Sequence, residues 1–183
     1  NNEDGDLVVN NLQKLGITKI DYLIGTHPHE DHIGGLDDVI DNFEIGTIYM
    51  PKVQTNTKTF EDVLDSVSAK NLSIRTPKIG YKFSIGSAEC EVMSIGDNSE
   101  NLNECSIVIR MVKEDISYLF TGDAEENNEC LRKWPQTTIL KVGHHGSSTS
   151  SSKEFLNQVM PSVAIIQVGE DNKYGHPHKE TME

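Results

Sequence analysis

The sequence is short of several things. It has three cysteines, six prolines, five Phe, five Tyr and one Trp, and its 16 Lys and Arg face 29 Asp and Glu. Cys90, Cys105 and Cys130 are odd in number and widely spaced. They make neither a C-x-x-C zinc pattern nor a disulfide framework, so cysteine usage does not assign a compartment. The deficit of basic residues gives a net charge of −13. That sign is the reverse of what phosphate contacts need, and it argues against tight, sequence-independent nucleic-acid binding by this chain alone. Long apolar runs are missing too; the longest, around residues 163–166, reach only five or six residues. No stretch is long enough to span a membrane, and none reads as a signal peptide.

What remains is an ordinary globular composition, 36% hydrophobic and 25% charged over 183 residues. That is enough chain for one domain with a real core. The opening NNEDGD reads as a polar turn. Residues 7–15 carry Val8, Leu12 and Leu15 at helical spacing, and Gly16 is a stop signal. Residues 19–25 read as a buried strand, 34–41 as a helix, 44–50 as a strand ending at Pro51, and 57–70 as an amphipathic helix through Phe60, Val63, Leu64 and Val67. A strand follows at 72–76. Hairpins are expected over 81–85 with 88–95, and over 106–112 with 117–121. A helix at 125–133, a strand at 138–142, a helix at 152–160 and a strand at 162–168 complete the order, with a polar loop over 169–178. Strands with helical crossovers plus consecutive hairpins predict an α/β layered fold with a mixed sheet.

Against this background one stretch is unusually rich. ITKIDYLIGTHPHEDHIGGL places three of the seven histidines, His27, His29 and His32, within six residues. The strand ends near Thr26, so the residues after it project from one sheet edge. His27 and His29, two apart, can point into the same space, and Asp31 and His32 follow at a helix start. Imidazole nitrogen and carboxylate oxygen are the usual ligands of zinc and related ions, and two ligands from each half of the motif can serve two neighbouring ions. A single histidine would read as a surface residue on a polar loop; an H-x-H-x-D-H array after a strand reads as a metal site.

The array resembles the signature of the metallo-β-lactamase fold superfamily. The resemblance implies an αββα sandwich of two mixed sheets flanked by helices, with the metal site at one edge of two facing sheets. Two further matches support it. The strand over 116–120 runs into TGDA, where the resemblance makes Asp123 the carboxylate that bridges two metals. ILKVGHHGS places His144 and His145 after a later strand, where the family has its late histidine ligand. By this carry-over His27 and His29 serve the first metal, and Asp31, His32 and one of the late pair serve the second. His144 comes first after its strand and is the expected ligand, with His145 as a supporting or substrate-contacting residue; the order can be reversed.

The chain departs from the general pattern at one place. A third histidine for the first metal is expected between the opening motif and Asp123, yet no histidine lies between His32 and His144. NLNECSIVIR stands there instead. Its N-x-x-S pattern, with HHGS and the terminal YGHPH, is similar to the hydrolase domain of ComEC-type DNA-uptake proteins. Asn103 and Ser106 are then the candidates to contact a metal-bound water or a substrate; read alone, they form a capped turn leading into a strand. The resemblance also implies family segments before residue 1 and after the G-H-P motif, so the chain is expected to be a single domain, 1–183, partial at both ends.

The implied chemistry is hydrolysis by a hydroxide held on two divalent ions, zinc or manganese, with the first site weakened. Asp31 and Asp123 can orient the attacking oxygen. Backbone N–H groups of Gly146 and Ser147 can cradle a phosphate oxygen. His145, His176 or His178 can protonate a leaving group. The expected activity is that of a phosphodiesterase or nuclease acting on a small-molecule or nucleic-acid phosphodiester. One alternative is a small or cell-surface phosphocholine-type ester. Another, from a different class, is a metal-binding or regulatory module without turnover. A β-lactam substrate is disfavoured, because it would call for a complete first metal site.

Overall fold

The computed structural model describes residues 5–96 and 100–183. The expected polar turn lies mostly outside them, in residues 1–4, while Gly5 and Asp6 belong to the first helix. The chain forms an α/β structure of two sheets with helices, divided into two compact units at Pro77 and Lys78. Among the described residues no helix is long and apolar enough to cross a membrane.

The first unit runs α1 (Gly5–Lys14), β1 (Lys19–Ile24), α2 (Glu30–Ile33), α3 (Leu36–Asn42), β2 (Glu44–Tyr49), α4 (Lys58–Ala69) and β3 (Ile74–Arg75). Its three strands are all parallel, in the order β1-β2-β3, with Ile24 opposite Tyr49 and Ile48 opposite Ile74. Parallel neighbours need crossovers, and the helices supply them. Thr57 starts α4 by accepting the Phe60 N–H on its hydroxyl, which satisfies one of the free donors of a helix start. Ile40, Ile48 and Val63 sit at the centre of the core, with Val9, Val39, Phe43 and Phe60 around them. Burying each such side chain contributes about 1.5–3 kcal/mol.

One helix was expected over 34–41, and two short ones are present. The chain turns into α2 already at Glu30, and Gly35, at φ 85°, separates it from α3. Only glycine enters that left-handed region without strain, so the glycine pair sets a corner instead of starting a helix. A second glycine brings α2 close to the strand that precedes it. A Cβ on Gly25 would lie 3.0 Å from Ile33 and 3.2 Å from Met50.

The second unit runs β4 (Lys82–Ile85), β5 (Ala88–Ser94), β6 (Val108–Lys113), β7 (Ile116–Phe120), α5 (Glu126–Cys130), β8 (Ile139–Lys141), α6 (Lys153–Val159), β9 (Val163–Ile165) and α7 (Lys179–Met182). The sheet keeps chain order, β4 to β9. Pairs up to β6–β7 are antiparallel, while β7–β8 and β8–β9 are parallel, as a mixed sheet requires. Val108, Leu119, Leu140, Phe155 and Val159 fill its core.

The helix expected over 125–133 stops at Cys130. Trp134 is drawn into the core instead, edge-on to Phe155 with ring centroids 5.1 Å apart. Its backbone N–H goes to the Gln158 side chain and its indole N–H to the Glu129 carbonyl, so neither extends a helix. The strands expected over 72–76 and 162–168 shrink to two and three paired residues, and α7 was not foreseen.

Candidate metal centre

In the first unit β1 ends at Ile24, and the H-x-H-x-D-H array occupies the link to α2 and α2 itself. His27 is fully buried. Its Nε2 lies 3.0 Å from Nδ1 of His29, and its ring stands 4.1 Å from that of His32. The Thr26 hydroxyl is 3.2 Å from His27 Nδ1 and 3.3 Å from His32 Nδ1, so one oxygen holds two rings. His32 Nε2 faces Asp31 at 3.6 Å. The strand–helix junction thus gathers all four expected donors of this half. Zinc–nitrogen bonds are about 2.0–2.1 Å, so two nitrogens 3.0 Å apart can both reach one ion.

In the second unit Asp123 follows β7 and is buried. Its backbone N–H donates to Ser106 Oγ at 2.9 Å, and Lys141 Nζ lies 3.7 Å from its Oδ1. The late histidines follow β8 in the left-handed region, His144 at φ 46° and His145 at φ 54°. That conformation turns both rings toward the same carboxylate. His145 Nε2 is 3.5 Å from Asp123 Oδ2 and His144 Nε2 is 4.0 Å from it. His145 Nδ1 lies 2.7 Å from the Gln167 carbonyl, which can only accept. The carbonyl calls for a proton on Nδ1, which in the neutral ring leaves Nε2, on the Asp123 side, as the nitrogen that can ligate a metal. His145, expected as the supporting member of the pair, is the nearer one to Asp123.

The N-x-x-S segment also reaches this place. Asn103 Nδ2 is 3.2 Å from Glu125 Oε1 and 3.5 Å from His144 Nε2. Asn103 Oδ1 is buried and has no hydrogen-bond partner among the described residues. A buried acceptor of this kind is costly unless something else supplies a donor or a cation. Ser106 is fully buried, and its hydroxyl is engaged by the Asp123 amide. It holds Asp123 in place instead of facing outward.

The other expected contacts sort themselves in the same way. The Ser147 N–H donates to the His144 carbonyl, so it is already committed. A Cβ on Gly146 would lie 2.6 Å from Pro177, and its φ of 83° also requires glycine. His178 Nδ1 accepts the Ser148 N–H at 3.0 Å, while Nε2 donates to the Tyr174 carbonyl at 3.2 Å. Both nitrogens are in use, and the ring clamps the loop after Gly146. His176 is the freer member of H-P-H, with its ring 5.5 Å from His144. Burial, then the neighbouring His144, His178 and His145, hold its pKa below the ordinary value. Sequence reasoning missed Glu125, Thr149, Lys141 and Gln167. Glu125 had one available signal, its place directly after TGDA.

Comparison with known proteins gives concordant results. Residues 6–170 match the family described as the metallo-beta-lactamase superfamily. The chain is 32% identical over 177 residues to ComE operon protein 3 of Bacillus subtilis (strain 168), covering 94% of this chain and 23% of that protein. It is 34% identical over 177 residues to Recombination protein 2 of Haemophilus influenzae, covering 94% of this chain and 20% of that protein. The chain thus spans about a fifth to a quarter of the length of these relatives. Among solved structures, the diiron β-hydroxylase CmlA from Streptomyces venezuelae shares the fold, with a TM-score of 0.59 at 16% identity over 87% of this chain and 40% of CmlA.

Proposed function

This chain belongs to the metallo-β-lactamase superfamily, and from that premise we propose that it is a dinuclear metal-dependent phosphodiesterase acting on nucleic acid. The observation that carries the proposal is the chemistry of the two donor sets. One strand end gathers His27, His29, Asp31 and His32. Another gathers Asp123 with His144 and His145. The buried, unpartnered Asn103 Oδ1 suits a site that expects a cation or its water. These residues fit zinc or manganese.

Within the first unit His27, His29, Asp31 and His32 would offer metal donors, and within the second Asp123 and a late histidine would do so. Of the late pair His145 has the better geometry. Divalent ions there supply Lewis acidity and lower the pKa of a bound water toward about 7. The chain's own residues do the rest. Ser106 fixes the backbone of Asp123, Lys141 offsets part of its charge, and His178 sets the course of the loop that carries Gly146 and Ser147. His176, whose nitrogens are less committed, is placed to give or take a proton at the leaving group.

The name of the Haemophilus relative, Recombination protein 2, favours a nucleic-acid phosphodiester. The charge of −13 favours a second reading, a small phosphodiester or phosphocholine-type ester that needs no long basic groove. Turnover of bis-p-nitrophenyl phosphate with added Mn²⁺ or Zn²⁺, followed by single- and double-stranded DNA, tests both. Hydrolysis of the activated ester and of DNA is the expected result. Hydrolysis of the ester alone supports the small-substrate reading. Bound metal without any hydrolysis would leave a non-catalytic module and overturn the proposal.

A further inference from the structure

We propose that His144 is a metal ligand in its own right, alongside His145, and that Glu125 is the positioning residue that makes it one. The inference rests on the metal-dependent reading above and deepens it. The general family pattern asks for a third histidine at the first metal, and this chain has none before His144. It does, however, bring two imidazoles to the late position.

Geometry supports a ligand role for both members of the pair. Each presents Nε2 to the same oxygen of Asp123, at 3.5 and 4.0 Å. Each has Nδ1 held by an acceptor, and a neutral imidazole whose Nδ1 carries the proton has its lone pair on Nε2. For His145 the acceptor is the Gln167 carbonyl. For His144 it is Glu125 Oε1 at 3.2 Å, with the Thr149 hydroxyl at 3.1 Å.

Glu125 does more than touch one ring. Its Oε2 accepts Asn101 Nδ2 at 2.8 Å, and its Oε1 accepts Asn103 Nδ2 at 3.2 Å and Thr149 Oγ at 2.8 Å. Its contacts with Asn101, Asn103, Thr149 and His144 therefore all bring donors to an ionised carboxylate, which has about four lone-pair sites. One side chain thereby ties the N-x-x-S segment to the late histidine loop and fixes the His144 tautomer. Glutamine cannot replace it. Its amide would turn an –NH₂ toward groups that are themselves donors, and leave at least one of them unpaired.

Cobalt(II) titration of the full chain, read by ligand-field absorption and by metal content after gel filtration, tests the inference without needing activity. The unaltered chain should bind two equivalents. His144→Ala should bind one. Glu125→Gln should still reach two at saturation, but with one equivalent weakened about 10–100-fold, the usual cost of removing the partner of a ligating histidine. Glu125→Asp, which keeps the carboxylate, should recover part of that loss. If the alanine variant fails to fold, His144→Asn retains a donor for Glu125 and serves in its place. Two equivalents at unaltered affinity in the His144 variant would overturn the ligand role. Unaltered affinity in Glu125→Gln would overturn the positioning role. No metal in the unaltered chain would overturn the metal-dependent reading itself.

Discussion

The two units gather their donors in opposite ways. In the first, four candidate ligands fall within six consecutive residues at one strand–helix junction, and the Thr26 hydroxyl holds two of the rings. In the second, Asp123, His144, His145, Asn103 and His176 come from separated segments, and the parallel neighbours β7 and β8 set Asp123 beside the late pair. A contiguous motif needs only local backbone geometry to converge. A scattered one needs a sheet to set its ends side by side and a hub to fix the side chains. Here the hub is Glu125, which ties together two other segments, that of Asn101 and Asn103 and that of Thr149.

The largest effect should come from breaking either half. His29→Ala and Asp123→Ala should each lower phosphodiester turnover by about 10²–10⁴-fold, since ligand loss forfeits several kcal/mol of charge stabilisation and each 1.36 kcal/mol is tenfold. Steady-state rates under saturating Mn²⁺ check this. Full activity in His29→Ala alongside a dead Asp123→Ala would mean that the contiguous half is idle, and the two halves would no longer be equivalent partners.

Next come the cores that hold the halves. Ile40 and Leu140 are fully buried at the centres of the first and second units. Truncating either to alanine should cost about 2–5 kcal/mol. The single tryptophan, Trp134, lies in the second core and reports it by fluorescence, while far-UV circular dichroism reports the helices of both units. A Leu140→Ala variant whose Trp134 transition in urea does not move would show that this core is not what supports the scattered set.

How much of this was legible in the sequence follows from the same contrast. The array at His27–His32 could be read directly, because spacing along one strand end is spacing in space. The parallel strands and their crossovers could be read from apolar periodicity. Glu125 had only its place after TGDA to mark it, and its partners lie 22 and 24 residues away. The order within the late pair was equally hidden. It depends on left-handed backbone at His144 and His145, which no local propensity announces. The end of α5 is tertiary as well: Trp134 packs on Phe155 and both of its N–H groups are bonded outside a helix.

A smaller effect in the second unit depends on pH. Glu104 and Glu129 are buried in the second unit, and burial raises both pKa values above the ordinary 4.5. For Glu129 the Ser151 and Ser152 N–H groups, at 2.6 and 2.8 Å, oppose the rise without cancelling it. A carboxyl whose folded pKa is raised holds its proton more firmly in the native state. Its contribution is therefore fully present below about 4.5 and is lost as pH rises through the folded value. Urea midpoints read at Trp134 should fall over that window, and Glu129→Gln should flatten the fall. A slope unaltered in that variant would assign the pH dependence elsewhere.

The smallest effect should be the same in both units, which makes it a control on the rest. Lys19 and Glu44 are register partners across β1 and β2, 3.0 Å apart. Lys82 and Glu91 are register partners across β4 and β5, 3.4 Å apart. Both pairs stand largely in water, where Coulomb attraction is weak, ordering two long side chains offsets it, and salt screens what is left. Replacing either lysine by methionine should leave the thermal midpoint unaltered within error, in low and high salt alike. A clear loss in one unit only, abolished by salt, would mean that its sheet depends on surface charge where the other depends on its apolar core, and the contrast between the units would then extend beyond the donors to what holds them.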